Sequence, residues 1–191
     1  SKVKIKKLYK YKNSIKIIIV GRLSKEKDHH TFLKSLKTLS KKINFESIIL
    51  GSGDQRINIE NTIHKYDLKK NVRIISFKNN PYPYIKESDI LILSSLHEGL
   101  PNVLIESAVL KTFIISSNCE TGPREILLNG KAGGLFRPRD FKQLAQKIIF
   151  FKNNKKLTKK MIQLGFNNID RFDYNKNLNK YYDKINIYMK K

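Results

Sequence analysis

The stretch that decides the fold is SSLHEGLPNVLIE, residues 94–106. It follows the apolar run ILIL, residues 90–93, which is typical of a buried strand. Gly99 and Pro101 then interrupt the pattern, and Asn102 is a favourable N-cap for the helix that begins with VLIE. Because the first turn of a helix has free N–H groups and a positive dipole end, this segment predicts an anion site suited to a diphosphate.

Two carboxylates accompany this predicted anion site. Glu98 lies in the turn and Glu106 lies about one helical turn into the helix, so both can face the crevice above the strand ends. An acidic residue near a helix start is commonly no more than a favourable partner of the helix dipole. The two glutamates therefore need other residues around them before a role can be given to either.

Strand-like and helix-like stretches alternate along the rest of the chain. Apolar runs predict six strands, and stretches with helical spacing of apolar residues separate them. The strands are predicted at residues 15–20, 47–50, 72–76, 88–93, 112–116 and 132–136. This alternation predicts an α/β fold, a Rossmann-like, doubly wound parallel sheet with helices on both faces. In such sheets ligands bind beyond the carboxyl ends of the strands.

The two ends of the chain are less regular. Residues 1–14 are rich in Lys and Tyr without periodicity, and we interpret them as a basic lead-in or linker. Residues 15–151 hold the predicted sheet, and residues 152–191 predict two further helical stretches. We interpret His29 and the other histidines as surface, capping or loop residues.

The formal net charge of +23 bears on partners rather than on fold. The lysines are spread along the chain, and no zinc-ligand pair, RNP-like segment or basic recognition helix appears, so specific nucleic-acid binding is not expected. Compositional bias toward Lys, Ile and Asn explains part of the charge, and attraction to an anionic membrane surface ranks next. Cys119 is the single cysteine and no signal-peptide pattern appears. These features favour the cytoplasm, with peripheral contact at the inner face of the membrane as a further expectation.

Two cations are candidates for the same site. Arg22 directly follows Gly21, which ends the first predicted strand, and Lys27 lies a few residues further on. If the first and fourth strands are neighbours, both cations lie beside the helix start at Asn102 and form a diphosphate clamp. The alternative of solvated charges in a lysine-rich chain stays open, more so for Lys27. The GSG at residues 51–53 is a weak match to a dinucleotide fingerprint, because its third glycine is absent.

Four segments, taken in order, resemble the carboxyl-terminal, donor-binding domain of the retaining family 4 glycosyltransferases, which have the GT-B fold. They are GRLSKEKD at 21–28, SSLHEGLPNVLIE at 94–106, GPREIL at 122–127 and GKAGGLFRPRD at 130–140. The resemblance covers roughly residues 15–151. It implies that the chain is one half of a GT-B enzyme and that its substrate is a nucleotide-sugar.

The resemblance also implies roles for individual residues. Arg22, Lys27 and Glu98 become the candidate catalytic residues: the cations would stabilise the leaving diphosphate, and Glu98 would contact the donor sugar. Glu106 would bind the ribose hydroxyls, and the base would lie over the loop at 77–79. The candidate donor-binding residues are Gly21, Arg22, Lys27, Phe77, Asn79, Glu98, Gly99, Leu100, Pro101, Asn102, Val103 and Glu106. Because Arg, Lys and helix amides supply the positive charge, neither a metal nor another cofactor is expected.

The donor and the acceptor are less determined. ETGP at 120–123 stands where many family members have a glycine-rich turn. It resembles bacterial members that transfer N-acetylhexosamines in surface-polysaccharide assembly, which favours a UDP-linked N-acetylhexosamine or hexose. The resemblance implies a missing amino-terminal domain that binds a glycan or lipid-linked acceptor, and residues 152–191 would pack toward it. The chain alone is then expected to be inactive.

Two other functions stay open. One is a sugar-nucleotide epimerase or hydrolase of the same architecture. The other is a non-catalytic nucleic-acid-binding module driven by charge.

Overall fold

The computed structural model describes residues 8–189 and contains a six-stranded sheet with helices on both faces. The strands are β1 (Ile15–Val20), β2 (Phe45–Leu50), β3 (Val72–Ile75), β4 (Ile90–Leu93), β5 (Phe113–Ser117) and β6 (Gly134–Phe136). The helices are α1 (His29–Leu39), α2 (Arg56–Lys65), α3 (Tyr82–Lys86), α4 (Asn102–Val109), α5 (Pro123–Ile126), α6 (Phe141–Asn153), α7 (Lys155–Asn167) and α8 (Tyr174–Met189). Short 3₁₀ helices lie at Lys25–Lys27, Leu128–Gly130 and Ile169–Phe172.

All neighbouring strands of the sheet run parallel, in the order β3-β2-β1-β4-β5-β6. The predicted doubly wound parallel sheet is therefore confirmed. From β1 the chain proceeds outward to β2 and β3, and it then returns to the other side of β1 to begin β4. The gap beyond the ends of β1 and β4 is the topological switch point, where sheets of this kind bind ligands.

Each central strand is buried on both faces, which explains its continuous apolar run. In β1, Ile17 and Ile19 pack with α1, α2 and α6 on one side of the sheet. Ile18 packs with α3, α4 and α5 on the other. β-branched side chains suit this environment because they fill a pleated surface.

Strand boundaries differ from the predictions by two residues or fewer. β2 begins at Phe45 instead of residue 47, because Phe45 and Glu46 are already paired with Ile15 and Lys16 of β1. β6 begins only at Gly134, since the chain before it turns and the amide of Ala132 bonds the carbonyl of Leu127.

Residues 8–14, the described part of the predicted lead-in, are packed against the sheet domain and hydrogen-bonded to it. Tyr9 is buried, and the amides of Lys10 and Tyr11 each donate to the Glu46 carboxylate at 2.7 Å. Burial by itself would raise the pKa of Glu46, but these hydrogen bonds outweigh it and lower the pKa. Residues 1–7 lie outside the described residues.

The two last helices differ in how they pack. α7 buries Thr158 and packs Met161 and Ile162 against the core. α8 buries none of its side chains and exposes several tyrosines and aliphatic residues. Within residues 8–189, no helix combines the length and the apolarity that crossing a bilayer requires. The division of the chain into a linker, a sheet domain and terminal helices stays a prediction.

Candidate functional site

Strand pairing brings the predicted site residues to one edge of the sheet. β1 lies directly beside β4, with Ile17 opposite Ile90. The segment after β1, which contains Gly21 and Arg22, therefore leaves the sheet next to the segment that leads to Glu98. The neighbourhood that the diphosphate clamp requires is present.

A cavity of about 570 Å³ opens at this edge. Five of the predicted residues line it, and we call them the open end: Gly21, Arg22, Phe77, Asn79 and Glu106. Tyr82 also lines the cavity but was not predicted, and its ring is half exposed. Phe77 is 66% exposed. Two exposed aromatic rings beside a cavity provide a surface on which a planar ring can stack.

The two charged groups of the open end form no ion pair with any residue of 8–189. Arg22 forms neither an ion pair nor a side-chain hydrogen bond with any described residue. Glu106 likewise has no cationic partner there, and its partial burial raises the pKa of its carboxyl. Both side chains remain available to bind a ligand.

The site continues toward Lys27 and Glu98, where an ion pair and hydrogen bonds join the loops after β1 and β4. Lys27 Nζ lies 2.6 Å from Glu98 Oε1. The Ser94 hydroxyl donates to the Lys27 carbonyl oxygen at 2.8 Å, and the Leu96 amide donates to the Glu26 carbonyl oxygen at 2.8 Å. The loops after β1 and β4 therefore hold each other in place.

The loop after β5 joins the same assembly. The Thr121 hydroxyl donates to the Glu98 carbonyl oxygen. Gly122 has φ +83°, and a Cβ at this position would overlap the Gly99 carbonyl and the Pro101 ring. We call this group of residues the bonded end: Lys27, Glu98, Gly99, Thr121 and Gly122. Ser94 and Thr121 lie in two of the quoted segments but were not predicted as site residues, because a hydroxyl side chain alone does not indicate which loop it will bond.

The predicted N-cap at Asn102 is wrong. Pro101, with φ −74° and ψ 97°, is the N-cap, and Asn102 is the first residue of α4. The Leu104 amide bonds the Pro101 carbonyl oxygen at 2.9 Å, and the Asn102 side chain makes no capping bond. The extended proline already supplies the backbone geometry and the carbonyl that start a helix, so the side-chain preference of asparagine is not needed.

The predicted anion site does not depend on that cap. The amides of Gly99, Leu100, Asn102 and Val103 donate to no other group in the part of the chain that the structure describes. Free amides at a helix start, beside Arg22, can bind a phosphate.

His29 is a further correction, because it is not a surface residue. It is 4% exposed, and burial, followed by the charge of Lys27, lowers its pKa to about 4. Asp28 takes a left-handed conformation at φ 43° and caps α1 through its carboxylate and the Thr31 amide at 3.1 Å. The signal was available, since His29 shares the helical face of the buried residues Phe32, Leu33 and Leu36.

No metal centre is built from the described residues, since nowhere in 8–189 do three or more His, Cys, Asp or Glu side chains come close enough to hold an ion. Cys119 is buried, and burial raises the pKa of its thiol. That donor binding needs no metal stays a prediction.

The fold and the site together define the carboxyl-terminal half of a GT-B transferase. The model of the family described as glycosyl transferases group 1 matches residues 1–167. The chain belongs to this family, and the resemblance seen in its sequence is confirmed.

Two relatives illustrate the sequence similarity. An uncharacterized glycosyltransferase of Methanocaldococcus jannaschii is 39% identical over 118 residues, which cover 61% of this chain and 29% of that protein. A Campylobacter jejuni N-acetylgalactosaminyltransferase that acts on a diphospho-undecaprenol substrate is 31% identical over 117 residues, covering 61% of this chain and 32% of the relative. The matched part of this chain spans about a third of the length of these relatives.

Two solved structures show the same fold. Anabaena HepE in complex with UDP-glucose superimposes with a TM-score of 0.77 at 19% identity, over 83% of this chain and 44% of HepE. The carboxyl-terminal domain of a group 1 glycosyl transferase from Francisella tularensis gives a TM-score of 0.72 at 23% identity, over 83% of this chain and 86% of that domain.

Proposed function

We propose that the chain is the donor-binding half of a retaining glycosyltransferase that takes a sugar from a nucleoside-diphosphate-sugar. The observation that carries the proposal is the meeting of three features at one sheet edge: the cavity of the open end, the unpartnered Arg22, and the free amides at the start of α4. Membership of the glycosyl transferases group 1 family supports the same function.

The diphosphate would lie between Arg22 and the amides of the α4 start. Negative charge on the leaving diphosphate grows as the bond to the sugar breaks, and positive groups already in position stabilise that charge without rearranging. Lys27 adds a second cation at the bonded end. This set of charges supplies the stabilisation that a metal ion would otherwise provide.

The nucleoside would occupy the open end. The base would stack over the loop that contains Phe77 and Asn79, and the Glu106 carboxylate would accept hydrogen bonds from the ribose hydroxyls. A UDP-linked donor is favoured because HepE, which shares the fold, binds UDP-glucose.

The sugar would lie at the bonded end, against Glu98. Lys27 bonds Oε1 of this carboxylate, so the other oxygen remains to accept from a sugar hydroxyl. An N-acetylhexosamine is the preferred sugar for two reasons. The Campylobacter relative transfers N-acetylgalactosamine, and ETGP at 120–123 resembles the turn of family members that transfer N-acetylhexosamines.

The acceptor would be a glycan or a lipid-linked sugar in bacterial surface-polysaccharide assembly, held by an amino-terminal domain outside this chain. Residues 152–191, and α8 above all, would contact that domain, since α8 buries none of its own side chains here. Transfer would then require both halves.

The proposed location of this sugar transfer is the anionic inner face of the cell membrane. α1, α6 and α7 pack on the same side of the sheet, and residues 29–45 and 141–169, which include these helices, contain eleven lysines and no acidic residue. Replacing Lys156, Lys159 and Lys160 with Gln should therefore weaken flotation with phosphatidylglycerol vesicles about tenfold or more, since each lysine near such a surface contributes about 1 kcal/mol. The same change at the scattered Lys12, Lys65 and Lys86 should have a smaller effect, and equal effects would contradict a specific face.

Calorimetry of the 191-residue chain with UDP, GDP and ADP tests the proposal. Saturable binding is expected, tightest for UDP, and no saturable binding to any of the three would overturn it. A full-length enzyme that forms product without an acceptor would instead be an epimerase or hydrolase. Steeply salt-dependent binding to arbitrary duplex DNA, with no nucleotide binding, would identify a nucleic-acid module.

A further inference from the structure

Arg171 reaches the site from a distant part of the chain. It lies in the 3₁₀ helix Ile169–Phe172, and its Nη2 donates to the carbonyl oxygens of Glu125 at 2.6 Å and Ile126 at 3.1 Å. These carbonyls end α5, where helical partners are absent and a cation is favourable. A single guanidinium therefore holds the carboxyl end of α5.

The other end of α5 touches the bonded end. Gly122, directly before α5, leaves no space for even a Cβ against Gly99, and Thr121 donates to the Glu98 carbonyl oxygen. Because Gly122 packs closely against Gly99 and Thr121 is hydrogen-bonded to Glu98, a displacement of α5 must move the turn that carries Glu98. α5 thus transmits the position of Arg171 to that turn.

Arg171 is also braced from α8. Its own carbonyl oxygen accepts from Asn177 Nδ2 at 2.8 Å, and its guanidinium lies 4.6 Å from the centroid of the Phe172 ring. No side chain of α8 is buried, Asn177 included. Arg171 is therefore a hydrogen-bonded link between the terminal helix and the site.

We propose that Arg171 is a positioning residue for the donor-sugar part of the site, and that it couples the placement of α8 to the Glu98 turn. This inference rests on the proposed function, and it adds a residue that touches neither the nucleotide nor the sugar. Among residues 8–189, Arg171 forms no hydrogen bond or ion pair with the loops after β1 and β3, so the open end should not respond to its removal.

The test compares UDP with UDP-N-acetylglucosamine, UDP-N-acetylgalactosamine and UDP-glucose by calorimetry on the full chain. Arg171→Ala should weaken the best-bound of the three sugar nucleotides at least fivefold more than it weakens UDP. Arg171→Lys should fall between, because lysine keeps the charge but lacks the planar guanidinium that holds Nη2 against both carbonyls. The matched control is Lys176→Ala, which removes the 2.7 Å ion pair with Asp170 in the same segment and should leave the ratio unchanged.

Amide hydrogen exchange gives a second measurement that needs no ligand. Arg171→Ala and Asn177→Ala should speed exchange at the hydrogen-bonded amides of the two loops at 98–104 and 121–127 and leave β1 and β2 unchanged; the amides are those of Leu104, Ile126 and Leu127. An equal loss for UDP and the sugar nucleotide, a ratio near one in every variant, or unchanged exchange in both loops would each overturn the inference. A wild-type chain that binds no nucleotide would contradict the proposed function instead, and the exchange result would still decide whether the coupling exists.

Discussion

The bonded end and the open end of the site are built on different principles. At the bonded end, Lys27 is paired with Glu98, and Gly122 fits against Gly99 without spare room. At the open end, Arg22 has no protein partner in the described chain, and Phe77 is 66% exposed. Substitutions at the bonded end should therefore change both the stability of the fold and ligand binding, whereas substitutions at the open end should change ligand binding alone.

The largest expected effect is that of Gly122→Ala at the bonded end. A Cβ there would overlap backbone and ring atoms that cannot move aside, so we expect a loss of about 3 kcal/mol or more in the free energy of unfolding, together with loss of sugar-nucleotide binding. Urea denaturation and calorimetry measure the two losses.

Gly130→Ala is the matched control for backbone strain. Gly130 has a similar φ of +88°, but its nearest neighbour, Leu135 Cδ1, is 3.8 Å from the added Cβ. The free energy of unfolding of Gly130→Ala should therefore fall only by the cost of a left-handed backbone at a non-glycine residue, about 1–2 kcal/mol. Equal losses in the two variants would mean that the contact between the loops is not tight.

His29 tests the bonded end through pH, because the charge of Lys27 contributes, after burial, to lowering its pKa. Its pKa of about 4 in the folded chain is below that of an unfolded histidine, so only the unfolded chain takes up a proton between about pH 6.5 and pH 4. Stability should therefore fall across that window as the pH falls, by up to about 3 kcal/mol.

His29→Gln should flatten this loss, and His64→Gln, an exposed change, should not. Urea midpoints measured from pH 7 to pH 4 compare the slopes independently of any constant loss of stability. A slope that is the same in the His29→Gln variant as in the wild type would contradict the assignment.

Arg22→Ala is the corresponding test of the open end. Loss of a charge-assisted hydrogen bond of about 1.5–3 kcal/mol should weaken UDP binding about tenfold or more. The free energy of unfolding should change by less than about 0.5 kcal/mol, because no protein group loses a partner. Arg73→Ala, at an exposed residue outside the cavity, is the control. A large loss of stability in Arg22→Ala would remove the distinction between the two ends.

The smallest expected effect on UDP binding is that of Glu106→Gln. Burial raises the pKa of this carboxyl, so its charge disfavours the folded state above that pKa. The variant should be slightly more stable at pH 7, by less than about 1 kcal/mol, while binding UDP several-fold more weakly. Glu87→Gln is the exposed control. A less stable Glu106→Gln variant would show that the carboxylate has a favourable partner.

The fold was predictable because its signals are local. All six strands could be located from apolar runs, most clearly the central ones, since a parallel strand covered on both faces needs mostly apolar residues. The helix of SSLHEGLPNVLIE was predictable too, although its N-cap was not, because Pro101 and Asn102 are adjacent and either can begin a helix. The surface prediction for His29 is wrong because His29, the first residue of α1, already lies on the buried face of that helix.

The sequence by itself determined the architecture, the turn and helix start at 94–106, and the residues that now line the cavity of the open end. The tertiary structure alone decided the bonded end: the pairing of Lys27 with Glu98, the hydroxyl of Ser94 on the Lys27 carbonyl, and the reach of Arg171 to α5. The physical reason is range. Apolar periodicity acts over a few residues, whereas these contacts join loops that meet only after the parallel strands have brought their carboxyl ends to one edge of the sheet.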